Sequence, residues 1–334
     1  SWYQFPSNHE FGDEIRNIIE KSNKDIYIYI SHEHKDHFDV PYLTTLELEK
    51  INFITPKFRR DHVASVLNKL NPKSVMTPVD SELINIDNLE IRLFLDDQEI
   101  VRDSALGLVD KDRDFTFLNL NDCKVYDRVD ELKAIYKKFD IFTCQFSGAV
   151  FHPVCYEYSE KKYTEISESK VYGKFGSVKN LLEKFEPNFY IPAAGPPVFL
   201  DPNLVSINFE EVNIFSSPYK FKNYLNDEMP ELKVEVPVPG SSFELKSGDI
   251  EIVHPVSNVE AQYDKEKIKN YAQQYKYIFE EREKQKLDYE PLDVQKKLFD
   301  ELELKLSNFD IEQQMNVILE FSLDEVPETS IYVD

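Results

Sequence analysis

Apolar residues recur at helical spacing over 10–22 (Phe11, Ile15, Ile18, Ile19) and then give way at 25–30 to DIYIYI, an apolar run rich in β-branched and aromatic side chains. The pattern predicts a helix followed by a buried strand. The alternation continues with helices over 42–50 and 60–70 flanking a strand at 52–55. Short strands are expected over 74–78, 89–95, 105–109 and 115–120, separated by turns, as in a partly antiparallel meander. A helix over 129–138, a strand over 140–145, a helix over 178–185 and a strand over 188–192 follow. Two sheets with helices on their outer faces, an αββα sandwich of the α/β class, accommodate this order.

From about residue 201 the texture changes to loops punctuated by proline, with one further strand pair expected at 233–236 and 250–253. Residues 262–322 read as a highly charged helical tail with sparse apolar positions such as Ile268, Tyr271, Tyr275 and Leu292. The expected organisation is a core over 1–255 and an acidic helical extension over 256–334. The chain opens on Ser1 and an aromatic stretch (Trp2, Tyr3, Phe5) ahead of any element, the start expected of a fragment.

The first strand runs directly into SHEHKDHF at 31–38, with His32, His34, Asp36 and His37 as four ligand-type side chains within six residues. Carboxyl ends of strands are where α/β proteins place ligands. Side chains two apart point to the same side of an extended chain, so His32 and His34 can share one metal ion. A turn then lets Asp36 and His37 face a second ion.

This loop resembles the first motif of the metallo-β-lactamase superfamily, whose members hold two metal ions between their sheets. The stretches FLNLNDC (117–123), FSG (146–148) and YIPAAGPPVF (190–199) resemble the branch that contains ascorbate-phosphate lactonases and, more closely, the metal-binding domain of CMP-N-acetylneuraminate hydroxylase. The resemblance implies that Asp122 bridges two divalent metal ions. Hydrolytic members carry a further His before that aspartate, but no His lies between His62 and His152. Acidic residues of LDDQEIVRDS (95–104) stand there instead, and Glu99 is the candidate ligand. That exchange is similar to the diiron β-hydroxylase of chloramphenicol biosynthesis. Oxygen donors suit iron in an oxygenase better than zinc in a hydrolase. Where lactonase-like members place a last His, this chain has Ala193 and Ala194, leaving His152 and then His254 as candidates, with His152 ranked first.

Composition narrows the partners. Acidic residues outnumber basic ones 62 to 39 for a formal charge of -23, which disfavours nucleic acid and anionic membrane surfaces. No apolar run approaches the roughly 20 residues of a membrane span, and no signal-peptide pattern opens the chain. Three cysteines without a CxxC pair argue against a disulfide framework or cysteine-rich zinc site and fit a cytoplasmic setting. The two-Cys, two-His spacing of a Rieske [2Fe–2S] centre is absent. The expectation is a metal-dependent enzyme acting on a small polar metabolite. One form is a diiron hydroxylase needing an electron-transfer partner, and another a zinc or manganese hydrolase in which Asp36 orients water or takes a proton. A third is a binding protein with a partly degenerate site.

Overall fold

A computed structural model describes residues 5–97, 102–147, 152, 158–193, 195, 198–246, 249–284, 296–298 and 300–301, together with the backbone of 317–323 and 326–333. The chain divides into two compact units, Ser1–Lys276 and Tyr277–Asp334.

The first unit begins with helix α1 (Phe11–Lys21) and strand β1 (Ile26–Tyr29). The short helix α2 (Val40–Leu43), strand β2 (Ile51–Ile54), helix α3 (His62–Lys69) and strand β3 (Ser74–Met76) follow. Strands β1, β2 and β3 form a parallel sheet in that order. The second sheet has the order β10-β9-β8-β7-β6-β5-β4. Its strands are β4 (Ile84–Ile86), β5 (Leu89–Asp97), β6 (Arg102–Asp110), β7 (Phe115–Asn119), β8 (Ile141–Gln145), β9 (Phe189–Ala193) and β10 (Lys233–Val234). β4 to β7 are antiparallel, whereas β7 to β10 are parallel and share one carboxyl-terminal edge.

Three apolar clusters define the layers. Ile19, Val63 and Leu67 pack with Ile51 and Phe53, so α1 and α3 cover the outer face of the small sheet. Ile54 and Met76 meet Ile91, Leu93, Leu106 and Leu108, where the two sheets face each other. Helices α4 (Val129–Ile135), α5 (Glu160–Phe185) and α6 (Pro218–Glu228) cover the other face of the large sheet through Leu132, Phe175, Leu182, Phe221 and Leu225 against Phe94, Leu118 and Phe142. The pleat sends neighbours Leu93 and Phe94 into different clusters. The expected αββα order is met.

Four expectations about the elements need correction, the last of them in the C-terminal tail. Helix α5 starts at Glu160, eighteen residues before the expected 178, with the Ser159 hydroxyl accepting from Lys162 N. Gly173, Gly176 and polar positions dilute its pattern, although Ser167, Val171, Phe175, Val178 and Leu182 make one continuous buried face. Helix α6 lies in the stretch read as loop; Ser217 caps it, Pro218 opens it, and Phe221 and Leu225 share its buried face. The expected pairing of 233–236 with 250–253 does not occur. β10 adds to β9, and β12 (Asp249–Val253) pairs instead with β11 (Ser242–Lys246).

Helix α7 (Lys265–Lys284) belongs to the expected charged tail and crosses the division between the units. Val317–Leu323, placed in the same helical tail, is instead strand β13, antiparallel to β14 (Val326–Val333). The VILEFSL sequence includes the β-branched Val317 and Ile318 and the aromatic Phe321, which favour extended backbone. Among the described residues no helix is long and apolar enough to cross a membrane.

Arg128 ties α4 to the large sheet. It donates to both carboxylate oxygens of Glu131 at 2.8 Å, pairs with Asp80, and lies over the Phe94 ring. The hydrogen bond from Arg128 holds the Glu131 carboxyl below its ordinary pKa. The stabilisation this brings is complete above the unfolded-state pKa and disappears as pH falls through the lower folded-state value. Glu131 is 42% exposed, so screening limits the pair to about 0.5–1 kcal/mol. Glu131→Gln is expected to lower the melting temperature slightly at pH 7, and the gap to wild type should close below about pH 4 in thermal denaturation.

Candidate metal centre

The parallel pairing of β1 with β2 extends one residue beyond the strand, with Ile30 N donating to Ile54 O at 2.9 Å. The chain then turns away carrying Ser31 and His32, both buried. Ser104 Oγ on β6 donates to Ser31 O at 2.8 Å, and Arg102 pairs with Glu33, so the loop is fastened to the facing sheet. Both His37 N and Phe38 N donate to His34 O, closing a tight turn, while the buried Phe38 side chain anchors the loop in the core under the small sheet.

Within this frame His32 Nε2 lies 2.8 Å from His34 Nδ1. A carboxylate oxygen of Asp122 joins them, and the three ligand atoms all lie within 4.8 Å of one another. His37 turns its Nε2 toward Asp122 Oδ2 at 3.5 Å and Asp36 Oδ2 at 3.7 Å. Asp122 thus stands between the His32–His34 pair and the Asp36–His37 pair.

Asp122 is delivered by a turn at the end of β7. Asn121 adopts a left-handed backbone (φ 52°), which asparagine tolerates better than most residues. Its N–H donates to Asn119 Oδ1, and its amide donates to Ser104 O at 3.1 Å and to Tyr29 OH at 3.3 Å, holding the turn between the sheets. Burial opposes ionisation of Asp122, yet the hydrogen bond to His37 and the charges of His37, His32 and His34 hold its pKa below the ordinary value. Burial likewise opposes the His37 cation, but Asp122, Asp36 and Asp103 together raise its pKa. Asp122 Oδ1 is buried with no hydrogen-bond partner among the described residues. An unsatisfied buried carboxylate oxygen is costly. Beside two convergent imidazole nitrogens it is the donor set that a divalent cation fits.

Asp103 was not singled out by the sequence reading. It is 4% exposed, and its Oδ1 lies 3.0 Å from His32 Nδ1. Donation from Nδ1–H to that carboxylate selects the tautomer that leaves the Nε2 lone pair facing His34. The only signal was its place in the acidic run at 95–104, which does not distinguish it from its neighbours. Asp103→Asn is expected to weaken metal binding by about 10–100-fold, measured by chelator competition.

Of the expected ligands, the structure brings together His32, His34, Asp36, His37 and Asp122. Glu99 lies outside the described residues. His152 sits elsewhere, buried with Nε2 2.9 Å from Ser167 Oγ on α5 and its ring packed on Tyr163. His152 is thus not part of the convergent donor group among the described residues, and the helix that begins at Glu160 provides its packing site. His254 is bonded through Nδ1 to Ser241 at 2.9 Å and does not join the group either.

No family profile matches the chain. A Mycolicibacterium smegmatis protein, assigned by inference as a Rieske 2Fe-2S iron–sulfur protein, is 26% identical over 287 residues, covering 82% of this chain and 54% of that protein. The chain therefore spans about half the length of the curated relative it matches. Among solved structures, CmlA from Streptomyces venezuelae, a diiron β-hydroxylase, aligns with a TM-score of 0.40 at 12% identity, covering 64% of this chain and 44% of that one. The metallo-β-lactamase-fold protein YhfI from Bacillus subtilis aligns with a TM-score of 0.40 at 10% identity, over 68% of this chain and 77% of its own. The four layers, with the histidine loop at the end of β1, meet the expectation of an αββα sandwich of the α/β class.

Proposed function

We propose that this chain is the metal-dependent catalytic part of an oxygenase, with two iron ions at the loop and electrons supplied by a Rieske [2Fe–2S] centre. The observation that carries the reading is the convergence of His32 Nε2, His34 Nδ1 and a carboxylate oxygen of Asp122, whose Oδ1 is buried without a partner. His32, His34 and Asp122 would hold one ion, and Asp36, His37 and Asp122 the other. Two iron ions bound there would supply oxygen-reducing chemistry.

The chain's own residues account for the rest. Asp103 and Ser31 set the orientation of His32, and Ser31 Oγ also lies 3.2 Å from His37 Nδ1, so both rings direct Nε2 inward. Asp36, about half exposed, can pass a proton between the site and solvent. Glu99, standing in the sequence where hydrolytic members carry a further His, would favour iron over zinc as an added oxygen donor. The Rieske description of the relative supports an iron–sulfur electron source. Cys123 and Cys144 do not form that centre, being buried with their thiol pKa values pushed up by desolvation. The centre would reside on other residues or another protein.

A cavity of about 1310 Å³ adjoins the ends of β8 and β9, lined in part by Phe146, Ile191, Ala193, Glu210 and Lys220. The strand edge it borders is the one from which Asp122 emerges, and it exceeds the roughly 300–1,000 Å³ of ordinary small-molecule sites, so a metabolite fits with room to spare. Protein purified anaerobically and assayed for iron, zinc and manganese tests the proposal. About two irons per chain is the expected result. Zinc at that stoichiometry would replace the reading with a hydrolase, and negligible metal would leave a non-catalytic binding protein.

A further inference from the structure

Helix α5 presents two lysines one turn apart, Lys170 and Lys174, to a cavity of about 150 Å³ under the end of β8. The buried Ser147 lines the same cavity, and the remaining walls are apolar, among them Phe146, Phe175 and Ile214. Like charges four apart on a helix repel, and although Lys170 is exposed, Lys174 is half-buried, where sequestering an ammonium group from water is costly. A chain with 62 acidic residues has carboxylates to spare. Yet neither lysine forms an ion pair among the described residues, and the polar contact of Lys174 Nζ is Gln145 Oε1 at 3.5 Å.

The cavity lies at the same strand edge as the metal centre. Gln145 ends β8, and β8 runs parallel to β7, whose following turn carries Asp122 and Lys124. The electrostatics agree with that placement: burial pushes the Lys174 ammonium below its ordinary pKa, nearby Lys124 adds to the effect, and Asp122 opposes it. Phe146 lines both this cavity and the large one. Phe146, fully buried, is thus a wall common to the two cavities.

From the paired lysines, the buried hydroxyl and the cavity between them, we infer that Lys170, Lys174 and Ser147 form an oxyanion subsite that holds a carboxylate or phosphate group of the substrate beside the metal centre. This rests on the proposed function for its role in catalysis, but not for the binding itself. Lys174 donates charge-assisted hydrogen bonds to the anion, Ser147 adds a neutral donor by turning its hydroxyl from the long 3.5 Å contact it makes with Ile214 O, and Lys170 contributes at the more exposed side. The substrate class is accordingly an anionic metabolite, despite the acidic net charge of the protein.

Calorimetric titration of the full chain with inorganic phosphate, and in parallel with acetate, tests this directly. Saturable binding of at least one anion is expected for the wild type and is expected to persist after chelator treatment. Lys174→Met, which keeps the apolar stem, should weaken it by about tenfold or more through loss of a charged donor, whereas Lys174→Arg should stay within about threefold of wild type. Absence of saturable binding to the wild type overturns the inference. So does equal weakening by Met and Arg, or binding that chelator abolishes and Lys174→Met leaves intact. The last result would put the anion on the metal and leave the proposed function standing, while a chain without metal that still binds phosphate through Lys174 would do the reverse.

Discussion

Asp122→Ala is expected to strip metal from the protein, lowering affinity by more than the about 10–100-fold that follows loss of a residue merely supporting a ligand. Asp122 is the group that faces both pairs of loop ligands: its oxygen completes the triad with His32 and His34, and its Oδ2 lies 3.5 Å from His37 Nε2. Removing it takes away the charge that offsets repulsion between two cations, so both sites should empty together. Metal analysis of purified protein measures the loss. Thermal denaturation gives a second readout, because a ligand bound only by the folded state stabilises by about 4 kcal/mol at a thousand times its dissociation constant. That metal-dependent rise in melting temperature should vanish in the variant. The metal-free variant should still unfold cooperatively, since the turn is held through Asn121 and Asn119. Wild-type metal content in Asp122→Ala would remove Asp122 from the centre.

Gly107→Ala should destabilise the fold by about 3 kcal/mol, the upper range for overpacking. Gly107 lies in β6 opposite Leu118 of β7, and a methyl group there would collide with the Tyr136 hydroxyl and come within 2.6 Å of its Cζ. Tyr136 cannot swing aside easily: its ring is buried between Phe94 and Phe139, with ring centres 6.1 and 6.0 Å away. Its hydroxyl is buried without a hydrogen-bond partner among the described residues. Tyr136→Phe alone should therefore be neutral or slightly stabilising, and combined with Gly107→Ala it should recover part of the loss by removing the nearest atom. Denaturant unfolding of the two single variants and the double variant measures the coupling. Strict additivity would show that β6 yields instead of the ring.

Some of this architecture was legible residue by residue. DIYIYI reads as a strand because its pattern is local, and the histidine loop reads as a ligand site because its donors are neighbours in the chain. Asp122 could be found because FLNLNDC resembles the superfamily stretch that ends on a metal-bridging carboxylate. Other parts depend on which side chains pack together. The Gly-diluted stretch of α5 ahead of residue 178 is helical because its sparse apolar residues share one face against the large sheet, a face visible only once the sheet is present.

By itself, then, the sequence determined the α/β/β/α alternation, the strand-end loop with His32, His34, Asp36 and His37, and the carboxylate at Asp122. Tertiary structure alone decided that Asp103 orients His32, that His152 packs on α5, and that Lys170 and Lys174 meet under the end of β8. Those relations join residues far apart in the chain. They arise because parallel strands bring their carboxyl ends to one edge, where side chains from separate elements converge and buried polar atoms must find partners.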